Sequence, residues 1–290
     1  MKSIIQLLIS FLVCLAVSLP GVAAQSQQSV VYLSYNMPEG VNFQVLAEHQ
    51  SQTFRFHTDA MRLDRITLDC GQVTGKLFGM EQLTYVEYGS VDVHSWDTGN
   101  LIVTLSAGDS FGPMSDESSF FLTTTPGHRA QMYHFSHGGA GLLDGALPDF
   151  TYESTNCDSG AMQELQSEPA SVETMYSSDQ TPSTSFGNEY MVYVGVLTVE
   201  PGSAIGWLEK SGVPAYVSQG TGIVLPLVGG FGKGEVGKAG IVEPEVRPEQ
   251  VLVIGPQQQV ALENHGSMVT VALVFGVVEI GDPVFQALHS

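Results

Sequence analysis

The stretch GQVTGKLFGMEQLTYVEYGSVDVHSWDTGNLIVTLSAGDSFG, residues 71–112, decides the fold of this chain. Short runs with period-two character are broken there by a Tyr-Val-Glu-Tyr-Gly-Ser turn at 85–90 and by Gly108-Asp109. Strands of a few residues with frequent turns predict an all-β sandwich or barrel. The same texture extends outward through Phe54–His57, Arg65–Leu68, Leu101–Leu105 and Ala130–Phe135, and resumes from Tyr190 to Ile280. No long segment of helical period competes with it.

The landmarks recur. Ile66-Thr67-Leu68-Asp69-Cys70-Gly71 is echoed by Leu197-Thr198-Val199-Glu200-Pro201-Gly202. At the same offset of 131, Tyr85-Val86 and Gly89-Ser90 align with Tyr216-Val217 and Gly220-Thr221. Val103 to Asp109 resembles Gln250 to Pro256 at an offset of 147, so the second copy is read as 16 residues longer. The extra length is assigned to Gly229–Gly240, between two strands, where a longer loop costs little. Two related β-domains in tandem is the economical account.

Composition bounds the function. Lys2, the apolar run Ile4–Val17 and Val22-Ala23-Ala24 read as a cleavable export leader, too short to span a bilayer, so the mature chain is expected to be secreted. Ten Lys and Arg stand against thirty Asp and Glu, a formal charge of −20. That charge repels phosphate backbones and anionic lipid, which argues against nucleic-acid and membrane partners. With Cys14 in the leader, Cys70 and Cys157 remain, and in an oxidising compartment they can form one bridge. It would close a loop of ~87 residues, worth roughly 4 to 5 kcal/mol on chain entropy.

The strand, the Gly-centred turn, the second strand pair and the Gly-Asp turn resemble the cupin family. The first copy resembles the fungal quercetin dioxygenase type through Gly89-Ser90, Thr104 to Asp109 and Gly138-Gly139. The resemblance implies two tandem double-stranded β-helix (jelly-roll, RmlC-like) barrels, a bicupin. It divides the chain into a leader at 1–24, an N-terminal arm at 25–53, a first barrel at 54–140, an acidic Ser/Thr-rich linker at 141–189 and a second barrel at 190–290. Part of the linker, around Ala161–Leu165, is expected to be helical.

The family pattern implies two His and a Glu on facing strands plus a later His, together holding iron, manganese, copper or nickel. Counting from Gly89 and Gly108 puts Gln82 in the Glu slot, with Glu81 beside it. Gly75 and Leu77, or Lys76 and Phe78, fall at the paired His slots, and Ser119 at the last His. In the second copy Val213 falls in the Glu slot and Leu208 or Glu209 near the His slots. Every imidazole is missing, so no resident metal and no catalytic residue is assigned. Asn264, ahead of His265-Gly266, resembles the Asn of the second family motif, which shapes a turn and binds no metal.

Other patterns carry less. His57, His94, His128, His134 and His137 can build a displaced metal site, or can be ordinary rim residues. GKGEVGKA at 232–239 nearly spells a phosphate loop but has Ala239 where the magnesium-binding hydroxyl belongs, and reads as a hairpin tip. Leu77, Phe78, Tyr85, Tyr88 and Trp96 in the first copy, and Trp207, Leu208 and Tyr216 in the second, either wall a pocket or fill a core. The leading expectation is a secreted bicupin without the usual metal ligands. It would bind a small molecule or glycan, or serve a structural role, through an emptied slot and barrel lining of Leu77, Gln82, Tyr88, Ser119 and His134, and it is compatible with a homo-oligomer. The alternative is a quercetin dioxygenase-like oxidoreductase whose divalent transition metal is held by displaced residues.

Overall fold

Met61–Leu68 (MRLDRITL) spends both of its faces on burial. Met61 and Leu63 point into one apolar cluster, Ile66 and Leu68 into another, and all four are buried. A strand apolar on both sides belongs inside a layered molecule. The computed structural model describes residues 37–52, 57–58, 61–70, 72–78, 82–112, 119–124, 128–137, 141–143, 153–155, 162–164, 168–177, 182–183, 189–207, 221–235, 241–254, 260–279 and 285–286. Among them every regular element is a strand.

Strand β1 (Val41–Gln52) comes first. The first barrel follows, with β2 (Met61–Leu68), β3 (Lys76–Phe78), β4 (Gln82–Tyr88), β5 (Ser90–Ser95), β6 (Leu101–Ser106), β7 (Ser110–Phe111), β8 (Phe120–Thr124) and β9 (Ala130–His137). After β10 (Ser171–Ser177), the second barrel has β11 (Glu189–Val199), β12 (Ala204–Trp207), β13 (Thr221–Val228), β14 (Phe231–Glu235), β15 (Ile241–Val246), β16 (Leu252–Ile254), β17 (Val260–Glu263) and β18 (Thr270–Glu279). In the first barrel, β2, β9, β4 and β7 lie side by side, facing β3, β8, β5 and β6. In the second, β11, β18, β13 and β16 face β12, β17, β14 and β15. Numbered within each barrel, both have one sheet in the order first-eighth-third-sixth and one in the order second-seventh-fourth-fifth. That order is the double-stranded β-helix.

Each barrel is completed by a strand from outside it. β1 lies along β11 in the second barrel, and β10 lies along β2 in the first. The two added strands even bulge alike, between Val45 and Ala47 and between Thr174 and Tyr176. Residues 41–52 of the expected arm and 171–177 of the expected linker are thus sheet strands. Met162–Glu164, where a helix was expected, is also a strand, paired antiparallel with Glu153–Thr155. The five-residue window Ala161–Leu165 is too short, and its neighbours too rich in Ser, Thr and Gly, to propagate a helix against its nucleation cost.

The strand registers correct the internal alignment. Leu68 opposes Ala130 as Val199 opposes Thr270, and the bulge at Tyr88 and Val86 against Gln131 and Met132 recurs at Val228 and Pro226 against Val271 and Ala272. The offset is therefore 131 for β2 and 140 for β4 and β9. The counterpart of Gly89 is Gly229, not Gly220; both have positive φ, 85° and 75°. The Gly108 turn matches the turn at Glu249, not Gly255. Gly108 donates its N–H to Val86 and Glu249 donates to Pro226, and each takes a left-handed φ. The insertion expected at Gly229–Gly240 lies instead between β12 and β13. Phe231–Glu235 pairs antiparallel with Ile241–Val246, so residues 232–235 of the near-phosphate-loop sequence are strand, while 236–239 lie outside the described residues.

The barrels stack through their first-eighth-third-sixth sheets. Met61, Leu63, Leu83, Tyr85, Tyr133 and Phe135 meet Val192, Val194, Ile223, Leu225, Leu273 and Phe275 in one apolar cluster. Phe135 stacks on Phe275 with ring centroids 5.7 Å apart. The interior of the first barrel and that of the second form two further clusters, one on each side of this seam. Cys70 is disulfide-bonded; its partner, like Cys157, lies outside the described residues.

Candidate functional site

On β9 alternation sends Tyr133 and Phe135 into the seam and Met132, His134 and Ser136 into the first barrel. The register then assembles two polar rows across the inner face of that sheet. Asp64, His134 and Thr84 stand opposite one another, and Arg62, Ser136 and Gln82 form the next row. Five of these six are buried, and only Arg62 reaches solvent, its side chain 36% exposed. Such burial requires partners.

The partners divide the rows. The Arg62 guanidinium Nε lies 2.9 Å from Asp64 Oδ1 and 2.7 Å from Oδ2. Thr174 of β10 closes the triangle, donating to Asp64 Oδ1 at 2.7 Å and accepting from Arg62 Nη2 at 3.0 Å. His134 Nδ1 meets Thr84 Oγ1 at 3.0 Å, and its other nitrogen, Nε2, is buried without a hydrogen-bond partner. Desolvation first, and Arg62 second, push the imidazole down to about 3, so it is neutral at physiological pH. An orphaned ring nitrogen costs about 1–3 kcal/mol. That is the cost a bound group would relieve.

The facing sheet supplies an apolar wall. Leu77 opposes Phe120, and both pack with Val91, Val93, Leu105 and Leu122. Of the residues expected to line the site, Gln82 and His134 share one inner face and Leu77 lies on the facing one. Tyr88 does not line the barrel. It is 42% exposed at the far end of β4, because the bulge there takes it out of the inward register. Ser119 immediately precedes Phe120, whose side chain faces inward, so alternation turns Ser119 away; its carbonyl accepts from Trp96 N–H. His94 is also on the outer face, bonded to Gly99 and Thr123 and stacked on Phe121. Tyr85 is spent in the seam. Glu81, Leu208, Glu209, Val213 and Tyr216, and the side chains of His57 and Trp207, lie outside the described residues.

The second barrel has no such rows. At the positions of Asp64, His134 and Thr84 it has Gly195, Val274 and Val224, and at those of Arg62, Ser136 and Gln82 it has Tyr193, Gly276 and Gly222. Tyr193 fills the space, its hydroxyl 2.5 Å from where a Cβ on Gly276 would sit. Phe43 from β1 covers Gly195 equally closely and meets Tyr193 edge-on. Asn264 is turn chemistry: its side chain donates to Val199 and Met268 and accepts from Gly266.

The family resemblance implies a divalent transition metal, and the described residues of the first barrel do not fit one. Gly75, Leu77, Gln82 and Ser119 offer a single donor side chain on the inner face. His134 adds one imidazole, but Asp64 is engaged by a guanidinium whose charge disfavours a cation at its side. Among the described residues no cluster of three or more His, Cys, Asp or Glu is placed to hold a metal ion.

No protein-family model matches the sequence, and none of the curated proteins does. In structure the chain is similar to a mutant of Bacillus subtilis oxalate decarboxylase, at 14% identity and a TM-score of 0.48, covering 94% of this chain and 87% of that one. It is also similar to a salicylate 1,2-dioxygenase from Pseudaminobacter salicylatoxidans, at 10% identity and 0.43 over 78% of this chain and 76% of that one. The Escherichia coli protein YhaK follows at 11% identity and 0.41, over 79% and 93%. All three are cupin-superfamily members. Likenesses at this level say nothing of substrate or metal. By its own strand order and its repeated register, the chain has the bicupin fold.

Proposed function

We propose that this chain is an exported bicupin that binds a small molecule or glycan inside its first barrel, without the metal usual to the family. The reading rests on one observation: the buried, neutral His134 whose Nε2 lacks a partner, set among Thr84, Ser136 and the Arg62–Asp64 pair. A ligand hydroxyl or carbonyl at Nε2 would satisfy that nitrogen, and the wall of Leu77 and Phe120 suits an apolar flank. The filled second barrel acts as scaffold in this reading.

The alternative, a quercetin dioxygenase-like oxidoreductase, needs a metal held by displaced side chains, of which His134 is the one imidazole on the inner face among the described residues. The test is metal content of protein purified without added metal, with oxygen uptake on a flavonol and calorimetric titration against neutral sugars and phenols. Binding of an uncharged ligand by metal-free protein, weakened tenfold or more in Thr84→Val, supports the proposal. Stoichiometric metal together with oxygen uptake overturns it.

A further inference from the structure

A second site lies at one end of the second barrel. Three turns meet there: Gly229-Gly230 between β13 and β14, the turn at 247–250 between β15 and β16, and the loop at 265–269 between β17 and β18. Together they enclose a cavity of about 240 Å³ lined by Gly229, Gly230, Phe231, Gly232, Arg247 and His265. Its size is below the ~300–1,000 Å³ of drug-sized pockets, so any occupant is small.

Arg247 sets its chemistry. In this strongly acidic chain, four other cations whose side chains are described are already engaged. Arg62 pairs with Asp64, Arg65 with Glu173 and Glu249, and Arg129 with Asp69, while Lys76 sits over Trp96. Arg247 alone among them has no carboxylate and no ring. Its backbone is fixed by the turn, donating to Gln250 Oε1 and accepting from Gln250 N–H, which leaves the guanidinium to the cavity. The first barrel repeats this turn with Ser106 in Arg247's place and Asp109 in Gln250's, so the cation is a departure from the repeat rather than a requirement of the fold. His265, on the cavity wall, has its Nε2 2.8 Å from Glu263 Oε2. Beside the same turns, Val228, Met268 and Val269 are exposed apolar side chains, Met268 at 61%.

We propose that this cavity binds a small organic anion with an apolar tail, its carboxylate on Arg247 and the glycine-lined floor and its tail on Val228, Met268 and Val269. An unpaired guanidinium offers two parallel donors to a planar carboxylate, and the apolar residues reward each methylene laid against them. The site is independent of the His134 rows in the first barrel.

Calorimetric titration of the full mature chain with acetate, hexanoate and sulfate tests it. Saturable hexanoate binding at least tenfold tighter than acetate or sulfate is expected. Arg247→Gln should weaken it tenfold or more with no change in thermal midpoint, and Met268→Ser should shrink the advantage of hexanoate over acetate. Absence of saturable hexanoate binding, or binding untouched by Arg247→Gln, overturns the site. Equal affinity for sulfate and hexanoate overturns the assigned ligand class.

Discussion

His134 is held neutral by its surroundings, and that has a measurable consequence. Its folded value of about 3 lies below the ordinary 6.5, so the unfolded chain takes up a proton that the folded chain refuses. The stability this contributes is complete above pH ~6.5 and is lost as the pH falls toward 3, by up to roughly 5 kcal/mol. Replacing His134 with Val, the residue its counterpart Val274 already is, removes that titration. Urea midpoints between pH 7 and 4 should fall less steeply in His134→Val than in the parent chain. An unchanged slope would mean that the imidazole is protonated in the folded state after all.

At the scale of elements, glycine placement decides which barrel can be filled. Gly195 has no Cβ because Phe43 lies 2.4 Å from where one would sit, and β1 can then press its aromatic into the second barrel. Gly195→Ala should cost about 1–3 kcal/mol as an overpacking substitution. Phe43→Ala should absorb much of that cost, which a double-mutant cycle on thermal midpoints will reveal as coupling. The same scale explains what the sequence disclosed and what it concealed. Period-two runs and Gly turns made the strands legible, and Asn264 announced its turn through the residues around it. Gly220-Thr221 misled because it imitates Gly89-Ser90 in both spacing and type, while the true partner, Gly229, follows a strand whose start had moved by nine positions (131 to 140). Asp64, Thr84 and Ser136 were hidden for another reason. In an alternating strand a polar residue ordinarily faces water, but here the outer face is claimed by the other barrel, so these polar residues point inward.

For the whole molecule, the seam should make the two barrels unfold as one cooperative body. Its apolar cluster draws on both barrels, and Arg65 adds an ionic tie from β2 across to Glu249 in the second. Phe135→Ala removes a fully buried ring stacked on Phe275 and should cost about 3–5 kcal/mol. Calorimetry should show a single unfolding transition in the parent chain. Broadening into two transitions in Phe135→Ala would identify the seam as the source of that unity, whereas two transitions in the parent would refute it.

The reciprocal placement of β1 and β10 also imposes a timetable on synthesis. β1 leaves the ribosome first, yet the strand it must lie against, β11, begins at residue 189, well over a hundred residues later. Until then its backbone donors and acceptors have no place of their own, and an emerging neighbour's β11 is as good a match as the one still to be made. At low concentration each chain closes on itself. At high concentration, or when synthesis stalls between the barrels, the same pairing is expected to join two chains through exchanged first strands.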